Sequence, residues 1–217
     1  ATTRVEPSKL SLGESENGPA EHTLRIRNLG AATTTYSLSH TTALATAGSP
    51  FTPGFFLAPA AVEFSASEVL VPAGGEVEVQ VTITANPGLA DGGQYGGYLV
   101  VSGGGGQVRV PYAGFKGDYQ GIQAMPGVVA GFDNPMLRPS LTLGTNAPIT
   151  INPDAGDVAW MVLHLSHQSR LMQVEARSAS NGRNWGRVLN LEYLGRNSTA
   201  TGFSAYGWDG TVRRGNS

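Results

Sequence analysis

His164 and His167 stand three apart in the stretch HLSH, a spacing that on a helix would bring both imidazoles towards one metal ion. On a strand, positions i and i+3 project to opposite faces, so the pair reads as ordinary core or surface histidines and not as zinc ligands. His22 and His40 are isolated in alternating stretches and read as cross-strand positions. Asp154 and Asp157 in NPDAGD and Asp91 in ADGGQ neighbour glycines. Calcium needs six to eight oxygens, whereas an Asp beside a Gly stabilises a tight turn through its own side chain, so these are read as turn residues. The four glycines 103 to 106 lack a GxxxxGK pattern and a following helix, which excludes a phosphate-cradling loop and leaves a flexible turn.

A serine nucleophile needs a base within hydrogen-bond reach and a group that orients the base. No serine of this chain lies in a GxSxG elbow or another recognisable nucleophile context. The expectation is therefore no catalytic residue, no cofactor and no metal ligand. Asn197-Ser198-Thr199 satisfies the glycosylation sequon, which matters only in a eukaryotic secretory pathway. Trp160, Trp185 and Trp208 could stack on sugar rings if several were coplanar on one sheet face. Trp160 and Trp208 fall within strand patterns and read as core or interdomain packing.

The elements that must position these residues are strands. Charged residues are only 14% of 217, and 30 glycines and 13 prolines would interrupt any helix longer than about three turns. A formal net charge of -2 gives no clustered cationic surface for nucleic acid or for an anionic membrane. No apolar run approaches the length of a membrane span and no export signal stands at the start, so neither membrane insertion nor a retained leader is expected. The absence of cysteine excludes disulfides and thiolate metal sites without fixing a compartment.

In chain order, Lys9 to Leu12 reads as a short opening strand and His22 to Asn28 as a strand with Leu24 and Ile26 on one face. Thr34 to His40, with Tyr36 and Leu38 inward, is expected to close a hairpin with it. Residues 41 to 61 read as a long connection carrying an apolar island at Phe55, Phe56 and Leu57. Glu76 to Thr84 is the clearest strand, with Val77, Val79, Val81 and Ile83 on one face and its register fixed by the glutamates on the other. Gln94 to Gln120 reads as a hairpin folding across Gly103 to Gly106, its first half a central strand and its glycine-rich end a seam. About seven strands separated by turns predict an immunoglobulin-like or fibronectin-like sandwich over residues 1–121.

Residues 122–217 read as a second β-sandwich-like unit: a poorly patterned opening to Pro153, then strands at Trp160 to Ser166, Leu171 to Ala176, Arg187 to Leu194 and Gly202 to Trp208. Four strands are few, so this unit is expected to lack its last strand, lying beyond Ser217 or supplied by another segment. Tyr112, Phe115 and Tyr119, aromatics spaced by glycine, are expected to pack between the two units. The fold class is all-β, two sandwiches in tandem.

VEPSKLSLGE (5 to 14), HTLRIRNLG (22 to 30), TYSLSH (35 to 40), VPAGGEVEVQVTIT (71 to 84), YGGYLVVSG (95 to 103) and VPYAGFKGDY (110 to 119) occur in that order. The set resembles the fibronectin type III-like domain located C-terminal to the catalytic domain in large secreted or cell-envelope subtilisin-like serine proteases. The second unit is similar, more loosely, to the further sandwich of those proteases, with Trp208-Asp209-Gly210 as its marker. The family's closing strand comes after that turn. The HGTH-type, DTG-type and GTSMA-type catalytic motifs are absent, so the resemblance implies a non-catalytic accessory region that braces or spaces the protease domain or helps position protein substrates. It further implies a secreted or cell-envelope location and, as partners, the upstream catalytic domain of the same precursor with a protein substrate or a cell surface. The reading from another class is a free-standing adhesin or carbohydrate-binding module built on the tryptophans.

Overall fold

A computed structural model describes residues 2–213 of the chain. The chain is all-β and separates into two compact units, Ala1–Gly121 and Ile122–Ser217, each described in its own terms.

The first unit contains β1 (Thr3–Glu6), β2 (Leu10–Glu14), β3 (Ala20–Asn28), β4 (Thr34–Thr42), β5 (Ala45–Ser49), β6 (Thr52–Phe56), β7 (Ala61–Phe64), β8 (Glu68–Val71), β9 (Glu76–Thr84), β10 (Gln94–Gly103) and β11 (Gly106–Phe115). One sheet runs β1-β3-β9-β7; the other runs β2-β11-β10-β4-β8, with β5 on β10 and β6 on β5. Leu24, Ile26, Val79, Val81 and Ile83 of the first sheet meet Tyr36, Leu38, Leu99, Val101 and Val110 of the second in a single buried core. Burying each such side chain contributes about 1.5–3 kcal/mol. Alternation on β9 leaves Glu76 and Glu78 on the wet face, where Arg25 of β3 reaches both, at 3.8 and 2.8 Å.

Four expectations are revised here. β3 and β4 do not form a hairpin: β3 pairs with β1 and β9, whereas β4 pairs with β10 and β8 in the opposite sheet. Both strands bury alternate residues, and that pattern fits two strands facing each other across a core as well as two strands side by side. The opening strand is preceded by β1, and the chain changes sheets between β1 and β2. Residues 41–61 include the hairpin β5–β6, which keeps Phe55 and Phe56 exposed and so lacks strand alternation in its burial. Among the described residues the first unit has eleven strands, because short strands carry too few side chains to show a period.

The second unit contains β12 (Val128–Val129), β13 (Phe132–Asp133), β14 (Met136–Arg138), a 3-10 turn at Pro153–Ala155, β15 (Ala159–Leu163), β16 (Ser169–Arg177), β17 (Asn184–Leu194) and β18 (Ser204–Trp208). A sheet of order β14-β15-β18 accompanies the hairpins β12–β13 and β16–β17. From Met161 to Leu165 every side chain is buried, so the expected alternation on β15 is replaced by cover on both faces. After the Trp208-Asp209-Gly210 turn, Arg213 exchanges two backbone hydrogen bonds with Arg187 of β17. The expected further strand beyond Ser217 lies outside the described residues.

Candidate functional site

The glycines and tyrosines of the β10–β11 hairpin explain each other. Tyr112 stands directly opposite Gly97, Tyr95 opposite Gly114, and Tyr36 of β4 stands beside Gly103. A Cβ on Gly97 would lie 2.7 Å from the Tyr112 hydroxyl, one on Gly114 2.6 Å from the Tyr95 ring, and one on Gly103 2.5 Å from the Tyr36 ring. Each tyrosine therefore lies flat across the bare backbone of its neighbouring strand, filling a gap that a glycine leaves in the sheet surface. Across Gly97, the Tyr112 hydroxyl shares a hydrogen bond of 3.0 Å with His40 Nε2 on β4. Burial holds the His40 imidazole below its ordinary pKa and pushes the Tyr112 hydroxyl up to about 12, the neighbouring Tyr95 hydroxyl adding to the second shift.

Of the three aromatics expected at the seam, Tyr112 is thus 4% exposed within the core of the first unit. Phe115 and Tyr119 are half-buried and meet edge to face at 5.3 Å. The segment that carries Tyr119 is tied back to the end of β2. Glu14 accepts the Tyr119 backbone N–H at 3.0 Å and the Gln120 side-chain amide at 3.4 Å, while Ser15 Oγ accepts the Gly117 N–H at 3.0 Å. Glu14, Glu16 and Asp118 bring one carboxylate oxygen each within 4.8 Å of one another. Because Glu14 is engaged by this backbone, the cluster's observed role is to anchor the segment that leaves the sandwich.

In the second unit three polar side chains do structural work that their sequence context does not announce. Asn134 Oδ1 accepts the His164 N–H at 2.7 Å and its amide donates to the His164 carbonyl at 3.0 Å, a side chain acting as one more rung beside β15. Asn197 does the same for Leu165: its Oδ1 accepts the Leu165 N–H at 2.8 Å, and its backbone N–H donates to the Leu165 carbonyl at 2.9 Å. The sequon nitrogen Nδ2 of Asn197 donates to Ser204 Oγ at 3.2 Å. His164, 1% exposed, donates from Nδ1 to the Gly202 carbonyl at 2.6 Å and places Nε2 3.2 Å from Ser166 Oγ. A serine, a base and an orienting acceptor thus lie together, with the imidazole itself buried. His167 is half-buried and separate from it.

Asp157 Oδ2 accepts the Asn152 N–H at 2.8 Å, closing the loop that also holds Asp154, and Asp209 binds both the N–H and the hydroxyl of Thr211, which holds its carboxyl below the ordinary range. Asp91 packs against Gly117. Trp160 and Trp208 are half-buried on the β14-β15-β18 sheet, and Trp208 Nε1 donates to the Thr211 carbonyl at 2.6 Å; Trp185 is 49% exposed on β17. Among the described residues no helix is long and apolar enough to cross a membrane.

These features define a β-sandwich of the fibronectin type III-like kind. Residues 10–113 match the family described as Fn3-like domain, which makes this part of the chain a fibronectin III-like region. No curated protein matches the chain. Among solved structures, it is similar to the PapD-like domain 7 of human CEP192, with 16% identity and a TM-score of 0.45, covering 55% of this chain and 87% of that one. It is also similar to the MSP-domain protein SSP-19 of Caenorhabditis elegans, with 14% identity and a TM-score of 0.35, covering 51% and 97%. The CupB2 chaperone of Pseudomonas aeruginosa gives 11% identity and a TM-score of 0.36, covering 95% and 100%.

Proposed function

We propose that this chain is a non-catalytic accessory region of a secreted or cell-envelope subtilisin-like serine endopeptidase, supporting or spacing the catalytic domain and contacting its protein substrates. The observation that carries this reading is the ordered set of motifs from Val5 to Tyr119, ending in YGGYLVV and VPYAGFKGDY. The Fn3-like match over residues 10–113 supports the sandwich part of it.

The partner in this reading is a catalytic domain of the same precursor, docked on the accessory region. A fluorophosphonate that labels activated serines tests it. Labelling is expected of the full gene product and not of residues 1–217 alone; covalent adduct on Ser166, or on any serine of this chain, overturns it. Exposure of Trp185 favours the second reading, a carbohydrate-binding or adhesive module. Glycan binding that disappears in Trp185→Ala would establish that reading over the first.

A further inference from the structure

The second unit holds an apolar cleft of about 390 Å³ between the β14-β15-β18 sheet and the β16–β17 hairpin. All four methionines of the chain, Met125, Met136, Met161 and Met172, line it. Leu137, Met161, Leu163 and Trp208 supply the sheet side, and Met172, Val174, Ala176 and Val188 the hairpin side. The register accounts for this: Leu137 stands opposite Met161, so both project to one face.

The polar groups at the cleft are already engaged. Asn146 accepts the Leu137 N–H and donates to the Pro135 carbonyl, the Gln173 amide donates to Asn190 at 2.9 Å, and Glu175 accepts from Arg177 at 2.7 Å. No charge is therefore presented to an occupant, and recognition falls to apolar contact. The volume lies within the roughly 300–1,000 Å³ of small-molecule sites and exceeds the about 150 Å³ of an apolar void that takes up benzene. Unbranched, polarisable thioethers adapt their shape to an apolar guest more readily than branched side chains do.

We propose that this cleft is a binding site for a small uncharged aromatic molecule, held between Met161 on the sheet and Met172 on the hairpin. Methyl-labelled methionine gives four resonances, of which those of Met161 on the sheet side and Met172 on the hairpin side report on the cleft. Titration of the labelled chain with toluene is expected to shift the Met161 and Met172 methyl signals saturably and to give Overhauser contacts from the toluene ring to those methyls. Ala176→Phe, which fills the cleft from the hairpin side, is expected to abolish both effects. Absence of shifts and contacts up to the solubility of toluene overturns the proposal, as do shifts that persist undiminished in the folded Ala176→Phe chain. Should that variant not fold, Val188→Phe fills the same space from β17, and the ring-to-methyl contacts in the unaltered chain decide independently of either.

Discussion

Tyr112 lies across Gly97, the residue directly opposite it on the neighbouring strand, and reaches His40 on the strand beyond. A methyl group on Gly97 would meet the Thr41 carbonyl at 2.5 Å and the Tyr112 hydroxyl at 2.7 Å, and the first of these is backbone that cannot swing aside. Gly97→Ala is expected to cost about 1–3 kcal/mol, as overpacking in a core does. Urea denaturation of the variant checks it, and an unchanged midpoint would show that the ring position is not constrained by the glycine.

The hairpin turn offers a contrast between adjacent glycines. Gly104 and Gly105 have φ of 58° and 77°, the two positive values that a two-residue turn matching the strand twist requires. Gly105→Ala, with open space around the added methyl but a left-handed backbone, is expected to destabilise by about 1–2 kcal/mol. Gly106→Ala also has open space, and no positive φ, and is expected to be neutral or to stabilise by up to about 1 kcal/mol. Equal effects in a thermal melt would contradict this account of the turn.

The same Tyr112–His40 contact is vulnerable at both ends of the pH scale. Burial lowers the His40 pKa from its ordinary 6.5, so below about that pH the unfolded chain binds a proton that the folded chain resists, and stability falls as pH drops towards the folded value. The Tyr112 pKa rises from 10.0 to about 12, so stability is fully present below 10 and is lost as pH climbs between the two. Urea midpoints measured from pH 7 to 5 are expected to decline less in His40→Gln, and those from pH 9.5 to 11.5 less in Tyr112→Phe. Parallel slopes in variant and unaltered chain would remove these two residues as the cause.

Asn28, 1% exposed, holds the arch between β3 and β4 by donating to the Ala32 carbonyl at 2.8 Å and the Val71 carbonyl at 3.1 Å while accepting the Gly30 N–H at 2.9 Å. Asn28→Ala leaves a buried carbonyl without its donor and is expected to cost about 1–3 kcal/mol. Asn28→Asp is expected to be worse, because a carboxylate has no hydrogen to give to either carbonyl and sets its charge against both. If Asp is tolerated better than Ala in chemical denaturation, the amide is not serving as the donor.

Strand identity was legible wherever one face is wet. On β3 and β9 the arginines and glutamates alternate with Leu24, Ile26, Val79 and Val81, and the sequence pattern translates directly into burial. Pairing was not legible there, because alternation states which face of a strand is buried and not which strand lies beside it. The connection between β3 and β4 is held by Asn28, a residue whose type suggests only a turn. The Tyr–Gly pairs were half visible: YGGY marked a glycine-bearing strand, yet Tyr112 lies fifteen residues from Gly97 in sequence and meets it only once the hairpin register is set. Asn134 and Asn197 had no sequence signal, since a side chain that substitutes for a strand is defined by its neighbours in space.

β2 and β11 run parallel, with Leu10 beside Tyr112 and Phe115 beside Glu14, although one lies near the start of the sandwich and the other closes it. Tension applied along the polypeptide, once it has peeled β1 from β3, therefore enters β2 at one end of this ladder and leaves β11 at the other. Its rungs, and the Glu14 and Ser15 ties just past it, are strained together in shear and cannot unzip one at a time. The parallel ladder thus lets the sandwich transmit a pull from one of its ends to the other as a single mechanical element.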